Sequence, residues 1–288
     1  MLRMMLGVLL VALSSAGGAQ APSFDVASVK PNKSGETRVR FALPPGRFTA
    51  SNASLRDIIR SAYRISDFQL VNLPGWAAAE RFDIEATTRP SQPSVKPMVL
   101  GPGGPPPELF VMLRALLAER FRLMAHTETR EMPIYALVLA RKDKALGAEM
   151  APSTIDCAAL AAEALANAGA PPKPPRPGQP PKCGMFAAPG RYEGWSATLT
   201  ELAEMLTPAM GRTVTNQTGL AGGFDFKIAF TPPSGPQDPA STSIPPPLDS
   251  SGPSLTTALE EQLGLRLQST RGPVEVLVID SVSPPTPD

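Results

Sequence analysis

The sequence predicts an α+β fold made of two tandem β-α-β-β-α-β-β repeats, each a small mixed or antiparallel sheet with two packed helices. Three observations predict it. The stretch Gly46–Ala86 is echoed from Gly190 onward: Gly-Arg-aromatic opens both copies, a leucine-led helical pattern follows, and Phe-Asp before an apolar residue closes both. A constant offset of 144 residues pairs Gly46 with Gly190, Phe48 with Tyr192 and Leu55 with Leu199. The apolar period also switches repeatedly between two and about 3.6 residues, the mark of alternating strands and helices. Finally, each copy carries two helical stretches with a single apolar face, and such faces must cover a sheet to be buried.

In the first unit, Ser23–Val29 alternates Phe24 and Val26 with polar or small residues, predicting a strand that Pro31 ends. A polar, basic stretch leads to Arg40, Leu43-Pro44-Pro45-Gly46 turns, and Arg47–Ala50 is a short strand. A helix follows over Leu55–Tyr63. Ser54 is placed to cap its free N–H groups, and Asp57 completes a capping box at the positive end of the dipole. Leu55, Ile58, Ile59 and Ala62 form its buried face, and Arg56, Arg60 and Arg64 form a basic row on the solvated one. Phe68–Val71 and Arg81–Thr87 read as strands around a Leu73-Pro74-Gly75-Trp76 turn. The run to Pro107 contains GPGGPPP without the Gly-Lys-Ser/Thr ending of a phosphate-binding loop, and reads as a plain loop. Glu108–Arg120 is a second helix. Phe121–Thr129 and Ile134–Ala140 are two strands of a hairpin turning at Glu131-Met132-Pro133.

The second unit follows the same plan. Thr198 and Glu201 make the capping box of a helix carrying Leu199, Leu202, Ala203 and Leu206. Val214 starts a short strand and Phe224–Phe230 is a longer one. A Pro/Ser loop over Thr231–Pro253 precedes a last helix with Leu255, Ala258, Leu259 and Leu263, and Leu265–Thr270 and Val274–Asp280 form a closing hairpin.

The segments around these units fill out the organisation. Residues 1–20 read as a signal segment, with Arg3 ahead of the apolar run Met4–Leu13 and small residues after it. That run is shorter than the ~20 residues a spanning helix needs, so export with cleavage is expected and the destination is periplasmic or extracellular. Residues 21–140 hold the first repeat with its extra N-terminal strand, 141–189 an Ala/Pro-rich insertion, 190–280 the second repeat, and 281–288 a Pro-rich tail. The 35 prolines among 288 residues cluster in loops and linkers, because the segments between them keep their apolar period. Cys157 and Cys183 are the only cysteines. In an exported chain they are expected to pair, closing a loop of about 25 residues for roughly 3–4 kcal/mol.

Function is less legible. Arg3 is the one charged side chain of residues 1–20, and the rest of the chain balances its 26 acidic residues with equal basic charge. Such a chain has no global field to steer polyanions, so nucleic acid is not an expected partner. A lone histidine, His126, and the absence of HExxH or paired-cysteine spacing give no metal site, and no GxSxG elbow is present. Asp83 and Asp225 occupy equivalent places after an aromatic residue, which argues for a structural role over an acid/base pair. No catalytic residue, metal or cofactor is assigned.

FDVASVKPN (24–32), GRFTASNASLRDIIRSAY (46–63), LPGWAAAERFDIEA (73–86), LLAERFRLMAHTETREMPIYALVLA (116–140), TGLAGGFDF (218–226) and LEEQLGLRLQSTRGPVEVLVID (259–280) together resemble the exported, soil-associated acidobacterial family DUF3738. The resemblance implies an exported protein of uncharacterised activity, of a kind sometimes found as the outer part of membrane-bound sensor-type peptidases. Each repeat is also similar, over Ala258–Leu265 and Val274–Ile279, to the short N-terminal domain of secretins and TonB-dependent receptors, which docks protein partners. The expectation is therefore a non-enzymatic, exported binding, interaction or sensory module for a protein or small molecule. Its docking surface would be the cleft between repeats or the edge of a closing hairpin, with Trp76, Trp195, Arg56 and Arg60 as binding residues. An extracellular hydrolase using His126, Asp83 or Asp225, and a passive cell-envelope protein, are the alternatives.

Overall fold

The computed structural model describes residues 22–42, 44, 46–88, 108–157, 159, 160, 162, 183–232 and 252–285. The N-terminal stretch expected to be a signal segment, the GPGGPPP run, the alanine- and proline-rich 163–182, most of the Pro/Ser stretch and the end of the tail lie outside them. The protein is a mixed α+β structure with three four-stranded sheets.

Two outer sheets are built alike. The first has the order β1-β5-β3-β2, from Val26–Pro31, Arg81–Thr87, Arg47–Ser54 and Arg40–Ala42. The second has the order β7-β11-β9-β8, from Met150–Pro152, Phe224–Ala229, Arg191–Ala197 and Gly184–Ala188. All their pairings are antiparallel. Residues 141–189 are therefore more than an insertion, since they supply both edge strands of the second sheet. Cys157 and Cys183 form a disulfide just before β8.

Each outer sheet contains a bulge made in the same way. Asn52 in β3 and Ser196 in β9 take positive φ, 56° and 49°. Asn tolerates the left-handed region because its short polar side chain bonds locally. The Asn52 main-chain N–H donates to Asp83 Oδ1 at 2.9 Å and that of Ser196 to Asp225 Oδ1 at 2.7 Å. Side chains then anchor a crossing segment: Asn52 Nδ2 donates to Glu36 O at 2.6 Å, and Ser196 Oγ to Ile155 O at 2.6 Å. The two aspartates hold strained backbone in place.

Helices cover these sheets as their apolar faces require. α1, Leu55–Tyr63, begins at a capping box of Ser54 and Asp57 and buries Leu55, Ile58, Ile59 and Ala62. Residues 73–76, expected to turn, lead into a short helix α2, Gly75–Ala79. α3, Glu108–Arg120, completes the first layer. α4, Leu199–Met210, repeats the capping box with Thr198 and Glu201, and α5, Leu255–Ala258, runs on into a wider turn at Leu259–Leu263.

The central sheet departs from the expected hairpins. Residues 124–139 form one unbroken strand, β6, and Leu265–Ser281 another, β12; no turn interrupts either at Glu131-Met132-Pro133 or at residues 271–273. The two pair antiparallel along their whole length, Leu265 opposite Leu139 and Ile279 opposite Ala125. Each half thus receives a strand from the other. Leu277 and Ile279 of β12 pack into the first core beside Phe48, Phe82, Leu113 and Phe121. Leu137 of β6 and Leu265 of β12 pack into the second, beside Leu202, Phe226 and Leu263. Ile134, Val274, Val276 and Val278 make a third cluster with Phe68, Val71 and Met132. Two short parallel strands, β4 (Leu70–Val71) beside Leu277–Val278 and β10 (Val214–Asn216) beside Tyr135–Leu137, complete the sheet order β10-β6-β12-β4.

Candidate functional site

The ribbon of β6 and β12 is sixteen residues long, whereas its flanking strands cover only three and two residues. Much of each outer edge is therefore left without a neighbour among the described residues. Alternation decides which main-chain groups face outward. Tyr135 N–H donates to Thr213 O, and Leu137 O accepts from Gln217 N–H, both at 2.9 Å on the side away from β12. Odd-numbered residues of β6 thus direct their N–H and C=O groups outward. The register with β12 runs without a shift from Leu139 to Ala125, so Ala125, Thr127, Thr129 and Glu131 do the same. Arg271 donates to Glu131 O at 3.0 Å. The side chains of Thr127, Thr129 and Glu131 are exposed.

Proline positions fit this polarity. Pro133 and Pro273 both occupy odd positions, where a missing N–H costs the ribbon no ladder bond. Pro273 sits within the open edge of β12, while the β6 edge is free of proline from Ala125 through Glu131. Among the described residues, the longer run of outward donors and acceptors in the ribbon is therefore on β6. Its even-numbered side chains His126, Glu128 and Arg130 lie opposite Val278, Val276 and Val274. His126 Nδ1 bonds Asp280 at 2.9 Å, its Nε2 lies 3.8 Å from Glu128, and Glu128 pairs with Arg130. The Asp280 hydrogen bond, reinforced by both carboxylate charges, raises the His126 pKa above its ordinary value despite some desolvation.

The sequence profile of the family described as "Protein of unknown function (DUF3738)" matches residues 56–282. The chain belongs to the DUF3738 family. No curated protein and no solved structure matches it.

In this DUF3738 protein the residues singled out from sequence do not converge. Trp76 sits on α2, half-buried against the first core. Trp195 belongs to β9, half-buried opposite Gly184 on the second outer sheet. Arg56 pairs with Asp67 at 3.6 Å beside an open depression of about 210 Å³, lined also by Leu70, Asn72 and Leu73. Arg60 lies 4.0 Å from Asp57, and its Nε is buried without a hydrogen-bond partner. Asp83, Asp225 and His126 lie on three different sheets, each engaged by its own local partner. Among the described residues no three His, Cys, Asp or Glu side chains gather to hold a metal ion, and no helix is long and apolar enough to cross a membrane.

The sequence places a hairpin turn at Glu131-Met132-Pro133, whereas β6 runs unbroken through these residues. The signal available was pairwise. Pro133 stands opposite Arg271 and Pro273 opposite Glu131 in the paired strands, and both prolines take outward-facing edge positions, where a missing N–H is tolerated.

Proposed function

We propose that this protein is an exported, non-enzymatic interaction module that binds an extended segment of a partner polypeptide by strand addition to the central ribbon. The observation that carries this reading is the open edge of β6, where Ala125, Thr127, Thr129 and Glu131 present outward main-chain groups. An added strand gains its affinity from these main-chain bonds and its selectivity from alternate side chains. His126, Glu128 and Arg130 on one face and Thr127, Thr129 and Glu131 on the other would supply that selectivity. The export part of the reading rests on residues 1–20.

The test is a photo-crosslinking residue at Thr127 in the chain expressed with its own N-terminal segment. A covalent adduct to another polypeptide is expected, lost when Thr129→Pro blocks the edge. Absence of any adduct, or an adduct unchanged by the block, would overturn the proposal.

A further inference from the structure

We infer that the β6 edge pairs antiparallel with the same edge of a second copy of this chain, about a two-fold axis through Thr129. This rests on the strand-addition reading above and commits it to one occupant. Only odd residues of β6 offer outward N–H and C=O groups, so odd must face odd across the axis, and centring on the even Glu128 or Arg130 would set two like charges face to face. Centred on Thr129, it sets Thr129 against the partner's Thr129, Thr127 against the partner's Glu131, and Ala125 against the partner's Pro133. Each of these pairs joins outward-facing groups. Pro133 lacks an N–H, but its carbonyl still accepts, and the ladder closes with about eight main-chain bonds. The Glu131 carbonyl keeps a second lone pair beside the one Arg271 uses.

Side chains select this register over its neighbours. The even positions fall into the closely spaced, non-hydrogen-bonded pairs, where side-chain chemistry counts most. Centring on Thr129 places Glu128 of each copy opposite Arg130 of the other, two opposite-charge pairs, and His126 opposite Met132. Centring on Glu131 instead sets two glutamates face to face and runs into Tyr135, whose N–H already serves Thr213. Centring on Thr127 carries the ladder past Met124, where β6 begins. The corresponding edge of β12 is interrupted by Pro273, which has no N–H to give, and its Glu275 carbonyl already accepts from Gln69 Nε2 at 2.9 Å.

Sedimentation of the full chain over about 1–200 μM tests the inference, since an interface of one strand pair is small and its dimer concentration-dependent. A molar mass rising toward twice the monomer value is expected for the wild type. Thr129→Pro should hold the mass at the monomer value, with the circular dichroism unchanged because that N–H is not part of the β6–β12 ladder. Glu128→Arg and Arg130→Glu should each be monomeric alone, from like charges across the axis, and should form a heterodimer when mixed. A wild type that stays monomeric overturns the self-pairing while leaving a crosslinked adduct to a different polypeptide free to support strand addition. Full dimerisation of Thr129→Pro, or no heterodimer from the charge-swapped mixture, overturns it equally.

Discussion

Asp83→Ala is expected to cost about 2–4 kcal/mol, because the carboxylate carries three hydrogen bonds at a strained turn of the backbone. It accepts from Asn32 Nδ2 at 2.8 and 3.0 Å and from the Asn52 main-chain N–H at 2.9 Å. Asn52 is only 4% exposed and has φ 56°, so removing the acceptor strands a buried donor. Leaving such a group unpaired costs roughly 1–3 kcal/mol, and bonds to a charged acceptor add roughly 1.5–3 kcal/mol before relaxation and water recover part of the loss. Asp83→Asn keeps one oxygen for Asn52 and should cost about 1 kcal/mol. Urea unfolding with the disulfide intact reads this as a lower midpoint at unchanged slope. Asp225→Ala should be milder, since among the described residues Asp225 accepts one hydrogen bond, from the Ser196 N–H at 2.7 Å. A cost below about 0.5 kcal/mol for Asp83→Ala, the size of an ordinary surface substitution, would refute the reasoning. Equal losses for Ala and Asn would refute it too.

Three further outcomes follow from the packing and the charges. Replacing Cys157 and Cys183 by serine frees a loop of sequence separation 26 and should lower stability by roughly 3–4 kcal/mol in the chain-entropy account; a shift under about 1 kcal/mol would contradict it. His126 is the only histidine, so one NMR titration isolates it: its midpoint should lie above the ordinary 6.5 and fall in Asp280→Asn. Because the folded state holds this proton more tightly, its stabilising share is complete below the unfolded value and fades as pH rises through the folded one. Gly194→Ala would put a methyl group into the Phe226 ring, which is 5% exposed. A loss of about 1–3 kcal/mol in the thermal midpoint analysis is expected, against near-neutrality if the ring swings clear.

Local chemistry made much of this fold legible. Ser54 with Asp57 and Thr198 with Glu201 are short-range signals, and both capping boxes form. Leu55, Ile58, Ile59 and Ala62 mark one helix face, and all four are buried. Strands β2, β7 and β8 were not legible, since they are short edge strands whose residues are largely exposed and lack a strong apolar alternation. The unbroken ribbon was hidden for a different reason. Proline beside charged residues signals a turn locally, and only the pairing of Pro133 with Arg271 and of Glu131 with Pro273, partners 138 and 142 residues apart in sequence, shows that both strands continue. The candidate site inherits that blindness: Thr127 and Thr129 become conspicuous once the direction of their main-chain groups is known.

The exchange of β6 and β12 also bears on how the chain reaches its native state. The first core contains Leu277 and Ile279 together with Val29 and Phe48, so it stays incomplete until the last strand has been synthesised. Contacts of such long sequence separation close late and slow the search. A fragment ending before Leu265 would expose the apolar floor beneath α1 and α3 and leave β6 without β12 along its inner edge, which is the profile of an aggregating intermediate. Folding should therefore be a single cooperative event that is completed only when the whole chain is available.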